Sequence, residues 1–159
     1  MGKHFLDGKG AALTQGVERR YKRIGNLDFD CASHCVYSLS VHVVFCTKFR
    51  RKILDNLSFL RETFLSIAAD IGCSIVEFGG ETDHVHLLLK YPPTASLSAV
   101  VGTLKSRSAS AYLNRFGSFY WGRHNRTLWS SGFFLCSAGG VTLETLRAYI
   151  EQQGLANPD

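Results

Sequence analysis

The clearest pattern in the chain lies in the ten residues Glu81-Thr82-Asp83-His84-Val85-His86-Leu87-Leu88-Leu89-Lys90. Alternate side chains of a β-strand lie on one face, so the imidazoles of His84 and His86 would point the same way. The other face would then carry three apolar side chains, Val85, Leu87 and Leu89. Two imidazoles at this spacing form a bidentate site for a divalent metal, so the run predicts a strand with one functional face and one core face.

Residues 141–154 predict a helix that could complete such a site. A Gly-Gly pair precedes the segment, Thr142 is suited to an N-cap, and Gly154 is suited to end the helix. Tyr149 and Gln153 are four residues apart and would lie on the same side of the helix. A tyrosine nucleophile and a metal-coordinating amide could therefore face one site together.

The composition indicates one soluble domain without a membrane partner. The 159 residues are 45% hydrophobic and 19% charged, which is typical of a globular protein. The formal charge of +5 favours a polyanionic partner only slightly. The five cysteines are odd in number and contain no CxxC pair, so we expect reduced thiols and a cytoplasmic location. The chain start lacks a signal-peptide core, and no apolar run is long enough to cross a bilayer.

Two regions of different character divide the chain. Residues 1–33 are rich in glycine and charge and show no apolar period, so we expect a mobile N-terminal extension there. Residues 34–159 would form the functional domain. Its predicted strands cover residues 37–47, 73–78, 84–91 and 128–137, and its predicted helices cover residues 57–71 and 96–116. Gly79-Gly80 is expected to turn between the second and third strands.

The order strand, helix, strand, strand, helix, strand predicts an α+β fold of the ferredoxin-like, split βαβ type. In that arrangement the helices cover one face of an antiparallel sheet and leave the other face open. The predicted C-terminal helix that carries Tyr149 would be an addition to this unit.

Five sequence blocks in order resemble the HUH single-tyrosine transposases of small bacterial and archaeal insertion sequences, which move as single-stranded DNA. In this family two histidines flank a hydrophobic residue, as in His84-Val85-His86, and one tyrosine precedes a third metal ligand. The blocks are a first strand with His42 leading into Lys48-Phe49-Arg50-Arg51, then Asp83-His84-Val85-His86-Leu87, then Trp129-Ser130-Ser131-Gly132-Phe133-Phe134, then Gly139-Gly140-Val141-Thr142, and last Tyr149-Ile150-Glu151-Gln152-Gln153.

The resemblance implies a chemistry and assigns it to particular residues. Tyr149 would attack a phosphodiester of single-stranded DNA and form a 5′-phosphotyrosine link, which a 3′-hydroxyl later reverses. His84, His86 and Gln153 would hold Mg²⁺ or Mn²⁺. The resemblance also implies a homodimer that recognises DNA hairpins, and it leaves open whether the tyrosine acts in its own subunit or in the partner. Candidate DNA-binding residues are Lys48, Arg50, Arg51, Lys52, Lys105 and Arg107.

Several other interpretations remain open. His42 could approach the metal, although a hydrogen-bonded structural role is favoured, and Asp83 could either orient a histidine or cap a turn. The basic turn around Phe49 is in most proteins a solvated face, yet its ring would permit stacking on DNA bases. Alternative functions are a domesticated DNA-hairpin-binding protein without catalysis and a replication or relaxase-type nickase with the same HUH site.

Overall fold

The computed structural model describes residues 20–24, 27–121, 126–138, 148, 150 and 151. A short turn over Lys48–Arg50 follows the fourth strand, and it is closed by hydrogen bonds from Arg50 N–H to the Thr47 carbonyl oxygen and from Arg51 N–H to that of Lys48. The helices and strands, in chain order, are β1 Arg20–Ile24, β2 Leu27–Ala32, β3 Cys35–Tyr37, β4 Ser40–Cys46, α1 Leu57–Asp70, β5 Ser74–Glu81, β6 His84–Lys90, α2 Leu97–Trp121 and β7 Phe134–Ser137.

The main sheet has the strand order β5-β6-β4-β7 and antiparallel pairing throughout. The connection order β4-α1-β5-β6-α2-β7 on this sheet is the ferredoxin-like arrangement, so the predicted α+β fold class is confirmed. Strand β4 lies between β6 and β7, and β6 lies between β5 and β4. The two strands at the centre of the sheet are therefore the ones that carry His42, His84 and His86.

Both helices pack on one face of this sheet and form the core with it. The sheet supplies Val43, Phe45 and Leu87 to this core, each at most 1% exposed. Helix α1 contributes Phe64, whose ring lies 6.0 Å from that of Phe45, and the Trp129 ring lies 5.7 Å from Phe45 on another side. An interior built from interlocking aromatic rings tolerates few rearrangements, so it holds the sheet in one register.

The hairpin between β5 and β6 differs from the prediction. Gly79-Gly80 was expected to form the turn, but both glycines lie inside β5, where Gly79 pairs with His86 and Gly80 with Val85. The turn is made instead by Thr82 and Asp83, between the end of β5 and the start of β6. The glycines are needed because atoms of β6 lie where their side chains would be: the His86 ring at Gly79 and the His84 carbonyl oxygen at Gly80. Glycine here indicates close packing between strands and not a turn.

The predicted strand over residues 128–137 is regular only in its last part, β7. Trp129 makes an isolated bridge with Thr47, and the chain between it and β7 runs as a loop. The Lys105 ammonium holds this loop by donating to the carbonyl oxygens of Ser130 and Ser131, at 2.7 and 3.0 Å, and to that of Gly132. Hydrogen bonds to a side chain thus replace the ladder that a longer strand would have made.

A second, three-stranded sheet, β1-β2-β3, precedes the main sheet. The sequence did not predict β1 and β2, because their charged residues hide any apolar period and their stability comes from pairing with each other. Strand β3 lies beyond the expected boundary at residue 33, so this sheet spans that boundary.

Asp30 of β2 is 2% exposed, and its Oδ2 lies 3.7 Å from Nζ of Lys90 on β6. Residues 1–19 lie outside the described residues, and the mobility of the extension stays a prediction.

Within the part of the chain that the structure describes, neither helix combines the length and the apolar character that a membrane crossing needs.

Replacement of Tyr112 by phenylalanine tests the anchor between helix α2 and the segment before α1. The buried Tyr112 hydroxyl donates to the Ile53 carbonyl oxygen at 2.7 Å, so its loss leaves that oxygen without this donor. We expect Tyr112→Phe to lower the free energy of unfolding by about 1–3 kcal/mol, measured by urea denaturation. Ser106→Ala is the control, because the exposed Ser106 hydroxyl donates to the Thr103 carbonyl oxygen within α2, and it should cost clearly less. Equal losses would show that burial of the bond does not matter.

Candidate active site

The open face of the main sheet carries both predicted histidines. In the β4–β6 ladder Cys46 pairs with His84 and Val44 pairs with His86. Paired residues lie on the same face, so His84, His86, Val44 and Cys46 form one surface opposite the helices. His84 is 7% exposed and His86 is half-buried, so both imidazoles are partly shielded from water.

Asp83 orients the first histidine. Its Oδ1 lies 2.8 Å from Nδ1 of His84, and its Oδ2 accepts hydrogen bonds from Nη2 and Nε of Arg50 at 3.1 and 3.3 Å. Burial raises the pKa of the Asp83 carboxyl, but the hydrogen bonds from His84 and Arg50 outweigh this and leave the pKa below its ordinary value. An ionised carboxylate at Nδ1 places the proton there and leaves the Nε2 lone pair of His84 available for a ligand.

A glycine makes room for the second histidine. A Cβ atom added at Gly79 would lie 2.4 Å from Nε2 and 2.5 Å from Cε1 of His86, so the imidazole occupies the space of the absent side chain. Burial and the neighbouring charges of His84 and His42 lower the pKa of His86, although Glu77 opposes them. The lowered pKa favours the neutral imidazole, which is the form that binds a metal.

The donor atoms on this face fit a divalent cation. Glu81, Asp83 and His84 each place one ligand atom within 4.8 Å of the others, the one such group found among the described residues. Imidazole nitrogen and carboxylate oxygen are donors that suit Mn²⁺ or Mg²⁺. Asp83 already binds Arg50 and His84, so it is better placed to orient a ligand than to be one. Glu81 was not predicted as a ligand. Its position just before the two-residue turn, where it pairs with His84, could have indicated it in the sequence.

The basic turn, residues 48–52 after β4, is bonded to the open sheet face that carries His84 and His86, which is called the metal face below. Thr47 donates its N–H to the Asp83 carbonyl oxygen at 2.9 Å, and its hydroxyl donates to the Arg51 carbonyl oxygen at 2.8 Å. Phe49 and Arg50 have φ of 57° and 52°, in the left-handed region. That conformation costs a non-glycine residue about 1–2 kcal/mol, so the turn holds two consecutive strained residues beside the candidate site.

Arg50 connects the metal face to the C-terminal segment. Besides the Asp83 carboxylate, its guanidinium donates to the main-chain oxygen of Ile150. The Ile150 side chain packs against Val44 and Cys46 on the same sheet face. Residues 148, 150 and 151 are helical, as predicted. Tyr149 and Gln153, the predicted nucleophile and third ligand, lie outside the described residues.

The predicted DNA-binding residues fall into two regions. Lys48, Arg50, Arg51 and Lys52 share the turn beside the histidines, where Arg50 is held by Asp83 and Lys52 is exposed. Lys105 points into the loop after Trp129, whose carbonyl oxygens surround its ammonium.

Arg107 lies on the helical side of the molecule. It donates to Oδ2 of Asp70 at 2.6 Å and borders an open cleft of about 530 Å³ between α1 and α2. Of the six predicted cations, Arg50 contacts Asp83 at the histidine face, while Arg51 donates to the Tyr120 carbonyl oxygen of α2. Contact of all six with DNA stays a prediction.

The chain combines a ferredoxin-like sheet with a histidine pair on its open face, and the sequence comparison gives its family. The sequence model of the family described as "Transposase IS200 like" matches residues 35–153, so the chain belongs to the IS200-like transposases. The transposase for insertion sequence element IS200 of Salmonella typhimurium is 27% identical over 123 residues, which are 76% of this chain and 80% of that protein.

Two proteins of Deinococcus radiodurans are similar as well. The ISDra2 transposase TnpA is 28% identical over 123 residues, 74% of this chain and 86% of its own length. A crystal structure of a candidate transposase from strain R1 superposes with a TM-score of 0.69 at 27% identity and covers 75% of this chain and 93% of that one. The shared fold therefore extends over nearly the whole of that relative.

The Gly79→Ala variant tests whether His86 needs the space above this glycine. The added methyl group would displace the far end of the His86 imidazole, which can swing away at little cost to the fold. We expect the affinity for Mn²⁺, measured by calorimetry, to fall about 10-fold or more while the unfolding midpoint changes little.

Gly102→Ala is the matched control, because nothing lies within 4 Å of its added Cβ. This helical substitution should leave Mn²⁺ binding unchanged and stabilise the protein by about 0.5–1 kcal/mol. Unchanged Mn²⁺ affinity in Gly79→Ala would show that His86 does not bind the metal in the position that the fold gives it.

Proposed function

We propose that this transposase cleaves and rejoins single-stranded DNA at the ends of an insertion sequence through a covalent 5′-phosphotyrosine intermediate at Tyr149. The observation that carries the proposal is that His84 and His86 lie on the same open face of the sheet. Ile150, the sequence neighbour of Tyr149, packs against this face. A nucleophile and a phosphate-orienting site would thus meet on one face. Membership of the IS200-like family supports the same reaction class.

His84, His86 and Gln153 would hold Mg²⁺ or Mn²⁺, and Glu81 is a further donor at the same site. A divalent cation held by these residues would supply polarisation of the phosphoryl oxygens of the scissile phosphate. The protein contributes a fixed geometry: Asp83 sets the tautomer of His84, and Gly79 leaves the space in which the His86 imidazole lies.

The covalent step exchanges one phosphoester bond for another. The Tyr149 phenol gives up its proton to solvent as its oxygen attacks phosphorus, and the bond from phosphorus to the 3′ oxygen of the preceding nucleotide breaks. That oxygen takes up a proton and leaves as a 3′-hydroxyl. In the second step a 3′-hydroxyl attacks the phosphotyrosine, restores the tyrosine and joins the strands. The phosphoester energy is kept in the intermediate, so no nucleotide hydrolysis is needed.

Arg50 acts as a positioning residue in this proposal. One guanidinium group contacts both the carboxylate that orients His84 and the main chain at Ile150. It therefore fixes the main chain at Ile150 relative to the metal face. Because Asp83 holds the Arg50 charge, Lys48 and Lys52 are better suited to neutralise DNA phosphates along this face.

The remaining parts of the proposal concern partners and location. The strand partner is single-stranded DNA with hairpins near the element ends, bound through the cations of the basic turn. We further propose a homodimer that works in the cytoplasm. Both named relatives are transposases, and the one from Salmonella typhimurium acts for an insertion sequence element, which supports the DNA partner.

Formation of a protein–DNA adduct tests the reaction directly. The protein is incubated with labelled single-stranded oligonucleotides from the DNA flanking its gene, with Mg²⁺ or with EDTA, and is resolved on a denaturing gel. We expect an adduct with Mg²⁺ that is absent with EDTA and absent in Tyr149→Phe, because phenylalanine has no nucleophilic oxygen.

Tyr120→Phe removes a hydroxyl that bonds to Asp55 away from the histidines, and it should still form the adduct. An adduct that persists in Tyr149→Phe would assign the nucleophile to another residue. Tight hairpin binding without any adduct would contradict the enzyme and support a non-catalytic DNA-binding protein. An adduct without subsequent joining of DNA strands would favour a nickase.

Arg50→Ala tests the positioning role. Loss of the guanidinium releases both Asp83 and the Ile150 carbonyl, so the single-turnover cleavage rate at saturating DNA should fall about 10–100-fold. The dissociation constant for DNA should change much less, because the Arg50 charge is already paired. Arg115→Ala, an arginine of α2 that lies over the Phe116 ring, is the matched control and should keep the rate. An unchanged rate with weakened DNA binding would make Arg50 a phosphate contact instead.

A further inference from the structure

Phe49 occupies a position that neither backbone preference nor burial explains. Its φ of 57° and ψ of 20° place a bulky aromatic residue in the left-handed region, where glycine or asparagine is the usual occupant. Its side chain is 61% exposed, so the ring gains little from the core. A folded protein keeps such a residue at a net cost in stability, and residues of this kind concentrate at functional sites.

The position of the ring is fixed by the contacts around it. Thr47, two residues earlier, bonds to the Asp83 main chain, and Arg50, the next residue, bonds to the Asp83 carboxylate. The turn is therefore pinned on both sides of Phe49 to the residue that orients His84. The exposed ring projects from a rigid turn at the border of the metal face.

The chemistry around the ring fits nucleic acid. Lys48 places its ammonium 5.5 Å from the centre of the Phe49 ring, and Lys52 is exposed on the same turn. An exposed aromatic ring flanked by lysines is the combination that binds a single strand, because an unpaired base stacks on the ring while the ammonium groups meet the phosphates. The Lys48 ammonium lies over one face of the ring, so a base would stack on the other face.

We propose that Phe49 is a stacking platform for an unpaired DNA base next to the scissile phosphate. The inference rests on the proposed function, since it places the substrate strand across the basic turn and onto the histidine face. Stacking tolerates any base, so Phe49 would fix the path of the strand and leave sequence choice to other contacts.

Fluorescence of 2-aminopurine tests this contact. The probe is a single-stranded oligonucleotide from the DNA flanking the gene, with 2-aminopurine placed at successive positions around the cleavage site. We expect the native protein to quench the probe at one position, Phe49→Ala to lose this quenching and about 10-fold in affinity, and Phe49→Trp to retain both.

Phe119→Ala is the matched control, because Phe119 is 84% exposed near the end of α2, where its ring meets the Tyr120 ring edge to face. It should leave quenching and affinity unchanged. Phe49→Gly separates a binding role from a structural one: glycine relieves the left-handed backbone, so the unfolding midpoint should stay or rise while DNA affinity falls as in Phe49→Ala.

Three results would overturn the inference. They are full affinity and quenching in Phe49→Ala, an equal loss in Phe49→Trp, and a change of oligomeric state in Phe49→Ala, which would make the ring a contact between subunits. The adduct assay distinguishes the two proposals. An adduct that forms normally while Phe49→Ala binds like the native protein refutes only the stacking, whereas quenching without any adduct supports the stacking and refutes the cleavage.

Discussion

The antiparallel register between β4 and β6 is the constraint on which the site depends. Three apolar residues of β6 lie in the core, with Val85 and Leu89 at 0% and Leu87 at 1% exposure. Because side chains alternate, their burial forces His84 and His86 onto the opposite face. A slip of one residue would exchange the two sets and place both imidazoles in the core, which the cost of burying polar groups forbids. The energy that folds the domain therefore also sets the geometry of the histidine pair.

Asp83 transmits this geometry to the rest of the site. Its carboxylate meets His84 and Arg50, while its carbonyl oxygen accepts the N–H of Thr47. One residue of a two-residue turn thus connects the histidine strand, the basic turn and, through Arg50, the main chain at Ile150. The hydrogen bonds of Asp83 lower its pKa despite burial, so the carboxylate remains charged and the network stays intact at neutral pH.

Periodicity in the sequence was sufficient to predict the main sheet, its two helices and the shared face of the histidines. These features follow from local alternation and from burial of apolar side chains, which a single sequence displays directly. Gly79-Gly80 was misread because a glycine that admits a neighbouring side chain looks the same in sequence as a glycine that turns the chain. The facing residue, His86, is known only once the strands are paired.

Charge was the least predictable property. Arg50, Lys105 and Arg107 were all candidate DNA ligands, yet each bonds to a protein group: a carboxylate for Arg50 and Arg107, and loop carbonyl oxygens for Lys105. These partners lie 25 to 37 residues away in sequence, and no local pattern announces them. The strands β1 and β2 escaped prediction for a related reason, since pairing between charged strands leaves no apolar period to read.

The strained turn persists because the chain on its C-terminal side is over-determined. The main-chain N–H groups of Ile53 and Leu54 both donate to the Thr82 carbonyl oxygen, at 2.9 and 2.8 Å. The Ile53 carbonyl in turn accepts the buried hydroxyl of Tyr112. With this segment fixed to the core and Thr47 fixed to Asp83, the intervening residues have few conformations left that close the gap. The backbone strain of the left-handed conformation at Phe49 then costs less than the hydrogen bonds on both sides that a relaxed conformation would break. The hydrogen bonds around the turn therefore hold an exposed aromatic ring in a fixed position beside the histidines.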